Sequence, residues 1–262
     1  MKIALTVAGS DSGGGAGIQA DLKTFHQFGV FGTSAITALT AQNTLGVRAV
    51  HPAPAPILRA QLEALAQDLP PDALKSGMLA TAELVAVLAD ALAEFRWRNY
   101  VCDPVMVATS GDRLLDTQAE RVIRDRLLPL ATLVTPNLDE AAILTGTTPR
   151  DPTAMELTGK QLLAMGAQAA LLKGGHLTGE VVTDVLVTAG NVRIFHRPRL
   201  VSTSTHGTGC TLSAAITAGL ADGRDLETAV VDGLDFVHRA IQAAPGLGRG
   251  HGPLNHSVPP RL

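Results

Sequence analysis

Along most of the chain, short runs of β-forming residues alternate with longer Ala/Leu-rich stretches at helical spacing, and few folds accommodate that order. Strands are expected at Ile3–Ala8, Ser34–Thr40, Leu74–Leu79, Tyr100–Asp103, Leu133–Thr135 and Ala169–Lys173. Helices are expected between them, at Ile18–Phe28, Ile57–Leu69, Ala82–Phe95, Thr117–Leu127, Asp139–Leu144 and Pro152–Met165. Such an order builds βαβ units, hence an α/β fold of three layers with a mostly parallel central sheet. The rhythm then changes. Val181–Thr188 and Val192–Phe195, separated by Ala189, Gly190 and Asn191, read as an antiparallel hairpin at a sheet edge, and two helices follow at Cys210–Leu220 and Leu226–Ala243. With no internal repeat, and only the short Pro-rich stretch His51–Pro56 as a break, one domain over residues 1–262 is expected.

Composition narrows the partners. Lys and Arg number 21 against 24 Asp and Glu, a formal net charge of −3, so the basic footprint that a phosphate backbone requires is missing. One Trp, one Tyr and six Phe leave few platforms for stacking bases. No nucleic-acid partner is expected. The apolar run in Met1–Ala8 breaks at Gly9, too early for a signal peptide, and no stretch approaches the roughly 18 apolar residues of a membrane span. Cys102 and Cys210 form no CxxC pair, which fits a reducing compartment, so a cytoplasmic protein without a membrane partner is expected.

In an open parallel sheet, ligands sit beyond the carboxyl ends of the strands, and in this chain those positions are polar and glycine-rich. Gly15, Gly17 and Ala20 match a dinucleotide fingerprint, but the ribose-holding acid is missing: after Asp21 the next carboxylate is Glu63. A Walker loop is excluded because no Lys-Ser or Lys-Thr follows the glycines. The loop His206-Gly-Thr-Gly-Cys210 is more informative. Gly207 and Gly209 bare backbone N–H groups at the start of a small-residue helix, where the macrodipole favours an anion such as a transferring phosphoryl group. A glycine-softened helix start would look the same in isolation.

Read in order, GSDSGGGAGIQAD at 9–21, TALTAQNT at 37–44, KSGML at 75–79, DPVM at 103–106, SGD at 110–112, TPNLDE at 135–140, KGGH at 173–176 and THGTGC at 205–210 resemble the hydroxymethylpyrimidine/phosphomethylpyrimidine kinases of thiamine biosynthesis. The resemblance implies a ribokinase-like fold and two successive phosphorylations of 4-amino-5-hydroxymethyl-2-methylpyrimidine with ATP and Mg²⁺. It also implies a homodimer, with the 181–195 hairpin or another sheet edge as the contact. The neighbouring alternatives are a pyridoxal or pyridoxine kinase and a catalytically silent vitamin or nucleotide sensor.

The same resemblance assigns roles. Gly207, Thr208, Gly209 and Cys210 would surround the travelling phosphoryl group, with Lys173 and Asn137 near the nucleotide phosphates and Glu140 and Asp103 serving Mg²⁺. Gln42 and Met78 would hold the pyrimidine, joined by Gly9, Asp21 and Val105. Each has an ordinary reading too: Asn137 as a helix cap with Asp139 and Glu140 complementing the dipole, Lys173 as a snorkelling surface lysine, Met78 as core packing, Gln42 as a turn cap and Cys210 as a small hydrophobe. Cys210 stands where related sugar kinases carry an aspartate base, and its place at a helix N-terminus is expected to lower its thiol pKa. His176 and His206 flank the loops, and no proton-transfer role is expected of either.

Overall fold

The computed structural model describes residues 1–106 and 117–261, without the side chains of Thr117 and His176; the 110–112 stretch quoted above lies outside the described residues. The parallel strands are β1 (Ile3–Asp11), β2 (Phe31–Asn43), β4 (Ala73–Ser76), β5 (Tyr100–Cys102), β6 (Leu133–Val134) and β7 (Ala169–Leu172). Three antiparallel strands complete the sheet: β3 (Gly46–Pro52) along β2, then β8 (Val181–Thr188) and β9 (Val192–Pro198) beyond β7. The order among the described residues is β3-β2-β1-β4-β5-β6-β7-β8-β9. The chain leaves β1 toward β2 on one side and returns beside it as β4 on the other, a topological switch point that opens a crevice at the carboxyl ends.

Residues 4–9 of β1 are all buried, as a central parallel strand covered on both faces requires. One cover is α1 (Gly17–Gln27), α7 (Thr208–Ala221) and α8 (Leu226–Gln242), with a core including Phe25, Ile216 and Phe236. The opposite cover is α2 (Ala55–Asp68), α3 (Ala82–Phe95), α4 (Thr117–Val122), α5 (Leu138–Thr145) and α6 (Pro152–Ala164), over Leu58, Leu88 and Tyr100. Residues 211–221 of α7 are buried without a break, and small side chains permit it: Gly219 and Gly233 bring α7 and α8 within contact of Ala229 and Ile216. The expected three layers and edge hairpin are present. No helix among the described residues is long and apolar enough to cross a membrane.

Two expectations change. Strand β3 adds to the expected strands; most of it is exposed, so its sequence carries no periodic burial signal, and Arg48, His51 and Pro52 blunt it as a sheet edge. The stretch expected as one helix over Thr117–Leu127 is α4 followed by a π turn at Ile123–Leu127.

After α8 the chain returns beneath α1 and α7, where His256 is 7% exposed and its Nε2 lies 3.0 Å from Thr211 Oγ1. Burial, assisted by the positive charge of Lys23, holds the imidazole down to about 4, so the folded form carries it neutral. An unfolded chain protonates it near 6.5, and its stabilising contribution is therefore complete above pH 6.5 and disappears as pH falls toward 4. The loss amounts to about 3 kcal/mol. Urea unfolding at several pH values between 4 and 7 checks this: His256→Gln should flatten the acid slope, and an unchanged slope would refute it.

Candidate active site

A cavity of about 800 Å³ opens over the carboxyl ends of the strands. Its rim is built from two glycine loops packed backbone to backbone. Gly207, the N-cap of α7, has φ +83°, and a Cβ there would lie 1.8 Å from Gly15 O. Gly17, with φ +56°, would place a Cβ 2.3 Å from Gly9 O. Only glycine fits either position, so these residues bring the first turn of α7, with the backbone N–H groups of Gly209 and Cys210, over the cavity.

Under that turn lies a charged cluster from three strand ends. Lys173 Nζ is 3.1 Å from Asp103 Oδ1 and 3.8 Å from Glu140 Oε2. A Cβ on Gly209 would lie 3.2 Å from the same Nζ, which places the lysine directly against the glycine loop. Asp103 also accepts from Thr135 Oγ1 at 3.2 Å and from Ser213 Oγ at 3.1 Å. Burial opposes its charge, but Lys173 and Lys75 hold its carboxyl below the usual range. Glu140 behaves differently. Burial pushes its carboxyl up to about 7, Lys173 pulls it down and Asp103 adds to the rise.

Asn137 and Glu140 form a capping box on α5: Asn137 Oδ1 accepts from the N–H of Asp139 and Glu140, both at 2.9 Å, and Glu140 Oε2 accepts from Asn137 N at 2.7 Å. The capping expected of Asn137 is therefore real, and both residues still face the cavity. Spare lone pairs on the Asp103 and Glu140 carboxylates suit Mg²⁺, a hard cation that usually keeps waters and takes only one or two protein carboxylates beside substrate phosphates. No cluster of three or more His, Cys, Asp or Glu able to hold a metal occurs among the described residues, so a closed protein cage is not what this site offers.

At the other end, Met78 Sδ would touch a Cβ on Gly9 at 3.4 Å, and Gln42 and Val105 line the wall beside them. Gly9, Gln42, Met78, Asp103, Val105, Asn137, Glu140, Lys173, Gly207, Thr208, Gly209 and Cys210 all border one cavity. Asp21 does not. It is fully buried beneath the floor, accepting from Thr6 Oγ1 at 2.6 Å and paired with Lys75 Nζ at 2.9 Å, so its expected contact with the acceptor gives way to a structural one. The expected lowering of the Cys210 thiol is also reversed. Burial pushes it up to about 11 against the pull of Lys75, with Asp21 and Asp103 adding to the rise, so helix polarity does not prevail.

Several lining residues escaped the sequence. Leu212, Leu234, Val237 and Ile241 form an apolar end with Val182 and Leu200. On α8 the spacing 234, 237, 241 is that of a core-facing stripe, which hides a ligand wall perfectly well. Asp11, also unassigned by the sequence, lines the cavity joined to His206 across the two glycine loops at 2.9 Å.

A family model for phosphomethylpyrimidine kinase matches residues 11–255. The hydroxymethylpyrimidine/phosphomethylpyrimidine kinase of Haemophilus influenzae is 48% identical over 266 residues, covering 100% of this chain and 99% of that protein. The thiamine biosynthesis bifunctional protein ThiED of Geobacter sulfurreducens is 49% identical over 96% of this chain, which spans only 51% of that longer protein. Among solved structures, the ADP complex of Bacillus subtilis pyridoxal kinase superposes with a TM-score of 0.92 at 38% identity, covering 98% of each chain.

Proposed function

The chain belongs to the phosphomethylpyrimidine kinase family, and on that premise we infer that it transfers phosphate from ATP to 4-amino-5-hydroxymethyl-2-methylpyrimidine and then to the resulting monophosphate, as a kinase of thiamine biosynthesis. The observation that carries this reading is the convergence, in one cavity, of the α7 N-terminus, the Asp103–Lys173–Glu140 cluster and the Gln42–Met78 wall. In-line phosphoryl transfer has a loose transition state, so the protein's task is alignment and charge stabilisation. The N–H groups of Gly209 and Cys210 donate to the equatorial oxygens of the travelling group, and Lys173 neutralises the nucleotide phosphates. Asp103 and Glu140 would hold Mg²⁺, directly or through water, and the bound cation would supply neutralisation of the donor phosphate charge. Gln42 pairs with the ring and its amino group, Met78 and Val105 cover its faces, and the apolar end around Val237 and Ile241 takes the adenine.

A substrate panel tests the reading. The pyrimidine, its monophosphate and pyridoxal are each incubated with MgATP, and phosphorylated products are resolved by chromatography. Monophosphate and pyrophosphate from the pyrimidine are expected; turnover of pyridoxal alone would overturn the assignment in favour of the activity named for the Bacillus subtilis structural neighbour.

Cys210 separates the two steps. The first acceptor is an alcohol, whereas the second is a phosphate already largely ionised at pH 7 because its second pKa is about 6. A thiol held near 11 is protonated at neutral pH and does not act as a standing thiolate. Whatever Cys210 contributes to proton handling therefore belongs to the alcohol step. Cys210→Ala should slow the first transfer by about tenfold or more and leave the second within about threefold; equal losses in the two rates would count against any such role.

A further inference from the structure

Asp11 and His206 are not accounted for by the roles above, yet they knit the site together. Asp11 is 4% exposed, and its carboxylate accepts from Gly13 N at 2.7 Å, Gly15 N at 3.0 Å, Ala16 N at 2.8 Å and His206 Nε2 at 2.9 Å. Burial opposes the charge, but the His206 contact and the bonds from Ala16 and Gly13 hold the carboxyl below its usual range. The same His206 Nε2 lies 3.0 Å from Gln42 Nε2. Its ring packs on the first glycine loop, where a Cβ on Gly15 would meet it at 2.5 Å, and its backbone N–H is bonded to Gly252 O. Gln42 is tied to that loop a second time, since its backbone N–H donates to Ser12 Oγ at 2.8 Å while the Ser12 hydroxyl donates back to Gln42 O at 2.7 Å.

The proton inventory settles what this arrangement does. An ionised carboxylate only accepts, so Nε2 must carry the hydrogen it shares with Asp11. That nitrogen then has no lone pair for an amide N–H, so the Gln42 amide is assigned with its O and N exchanged, and Oε1 shares the single Nε2–H with Asp11 as a three-centre bond. The Gln42 NH₂ is thereby turned away from the histidine.

We propose that His206, itself held by Asp11, is a positioning residue for acceptor recognition: it fixes the Gln42 amide with Oε1 toward the imidazole and NH₂ toward the cavity. The amide then presents a donor to a ring nitrogen and, on its remaining Oε1 lone pair, an acceptor to an adjacent amino group. Without the histidine, two amide orientations compete and only one fits. Because His206 immediately precedes Gly207, the residue that orients the ring reader also anchors the loop assigned to the phosphoryl group. This inference rests on the acceptor site described under the proposed function.

The test uses the full-length protein with the pyrimidine and an analogue lacking only the amino group. His206→Phe keeps a flat ring against Gly15 but removes the N–H, and His206→Gln restores a donor at similar reach. His206→Phe is expected to raise the pyrimidine KM about tenfold, with kcat within about threefold, and to erase most of the preference over the deamino analogue. ADP affinity should stay within about twofold, and His206→Gln should recover at least half of the lost preference on a logarithmic scale. A His206→Phe enzyme that keeps the wild-type preference overturns the proposal, as does one in which both acceptors and ADP weaken together. A wild type that fails to distinguish the two acceptors instead overturns Gln42 as the ring reader. Should His206→Phe not fold, His206→Gln and wild type are compared by the same preference ratio together with its pH profile, and a ratio reduced more than tenfold by the Gln variant overturns the proposal.

Discussion

Lys75→Met is expected to cost about 3–5 kcal/mol of folding stability, read as a shift of the urea midpoint at constant slope. Lys75 on β4 and Asp21 on α1 are both fully buried, 2.9 Å apart, in the floor beside β1 and the start of α7. Burial works against the ammonium, but the carboxylates of Asp21 and Asp103 offset it, and Lys75 is held above its usual range. Removing the lysine alone strands a carboxylate in an apolar interior with Thr6 as its remaining partner. That stranded charge, rather than the lost pair, dominates the cost. Lys75→Met combined with Asp21→Leu should therefore recover most of the loss, leaving about 1 kcal/mol for the orphaned Thr6 hydroxyl. A single variant within 1 kcal/mol of wild type, or a double variant whose loss equals the sum of the two singles, would show that the stranded Asp21 charge does not dominate the cost.

The same pair shows where sequence reading succeeds and where it stops. The KSGML stretch and the aspartate at the end of GSDSGGGAGIQAD both belong to the pattern that points to the family, yet neither spacing reveals that the two side chains face each other under the floor. Loops that end strands are legible, because glycine and acidic residues cluster where backbone must approach a ligand, and Gly207, Lys173 and Glu140 do meet there. Buried polar partners across 54 residues leave no such local mark. His206 carries no legible role in the sequence, because its meaning depends on Asp11, 195 residues away. Strand β3 was invisible for the opposite reason, exposure erasing its periodicity. For Cys210 the error was one of magnitude: helix polarity is a modest effect, and burial beside two carboxylates outweighs it.

Lys173→Met is expected to lower kcat by about 10²–10³ while leaving acceptor KM within about threefold. The lysine is the cation between Asp103 and Glu140 and lies against Gly209, the point where donor phosphates and the α7 N–H groups converge in the proposed reaction. Neutralising charge there is worth more in the transition state than in the bound ground state only if the ammonium is fixed beforehand, and the two carboxylates fix it. The stability penalty should be smaller than for Lys75. Glu140 is already pushed up to about 7, so losing Lys173 lets it take a proton at neutral pH and relieve the repulsion from Asp103. Burial raises the Asp21 carboxyl as well, and Asp103 adds to that rise, but Asp21 and Lys75 are fully enclosed beneath the floor whereas Lys173 is 16% exposed, so water can reach the Glu140 cluster and not the Asp21 pair. On this reading the two lysines divide the work: Lys75 holds the floor, and Lys173 serves the phosphates in the proposed reaction. Steady-state kinetics and urea unfolding on both variants separate these roles. A Lys173→Met enzyme retaining more than a fifth of wild-type kcat, or one that loses as much stability as Lys75→Met, would contradict the division.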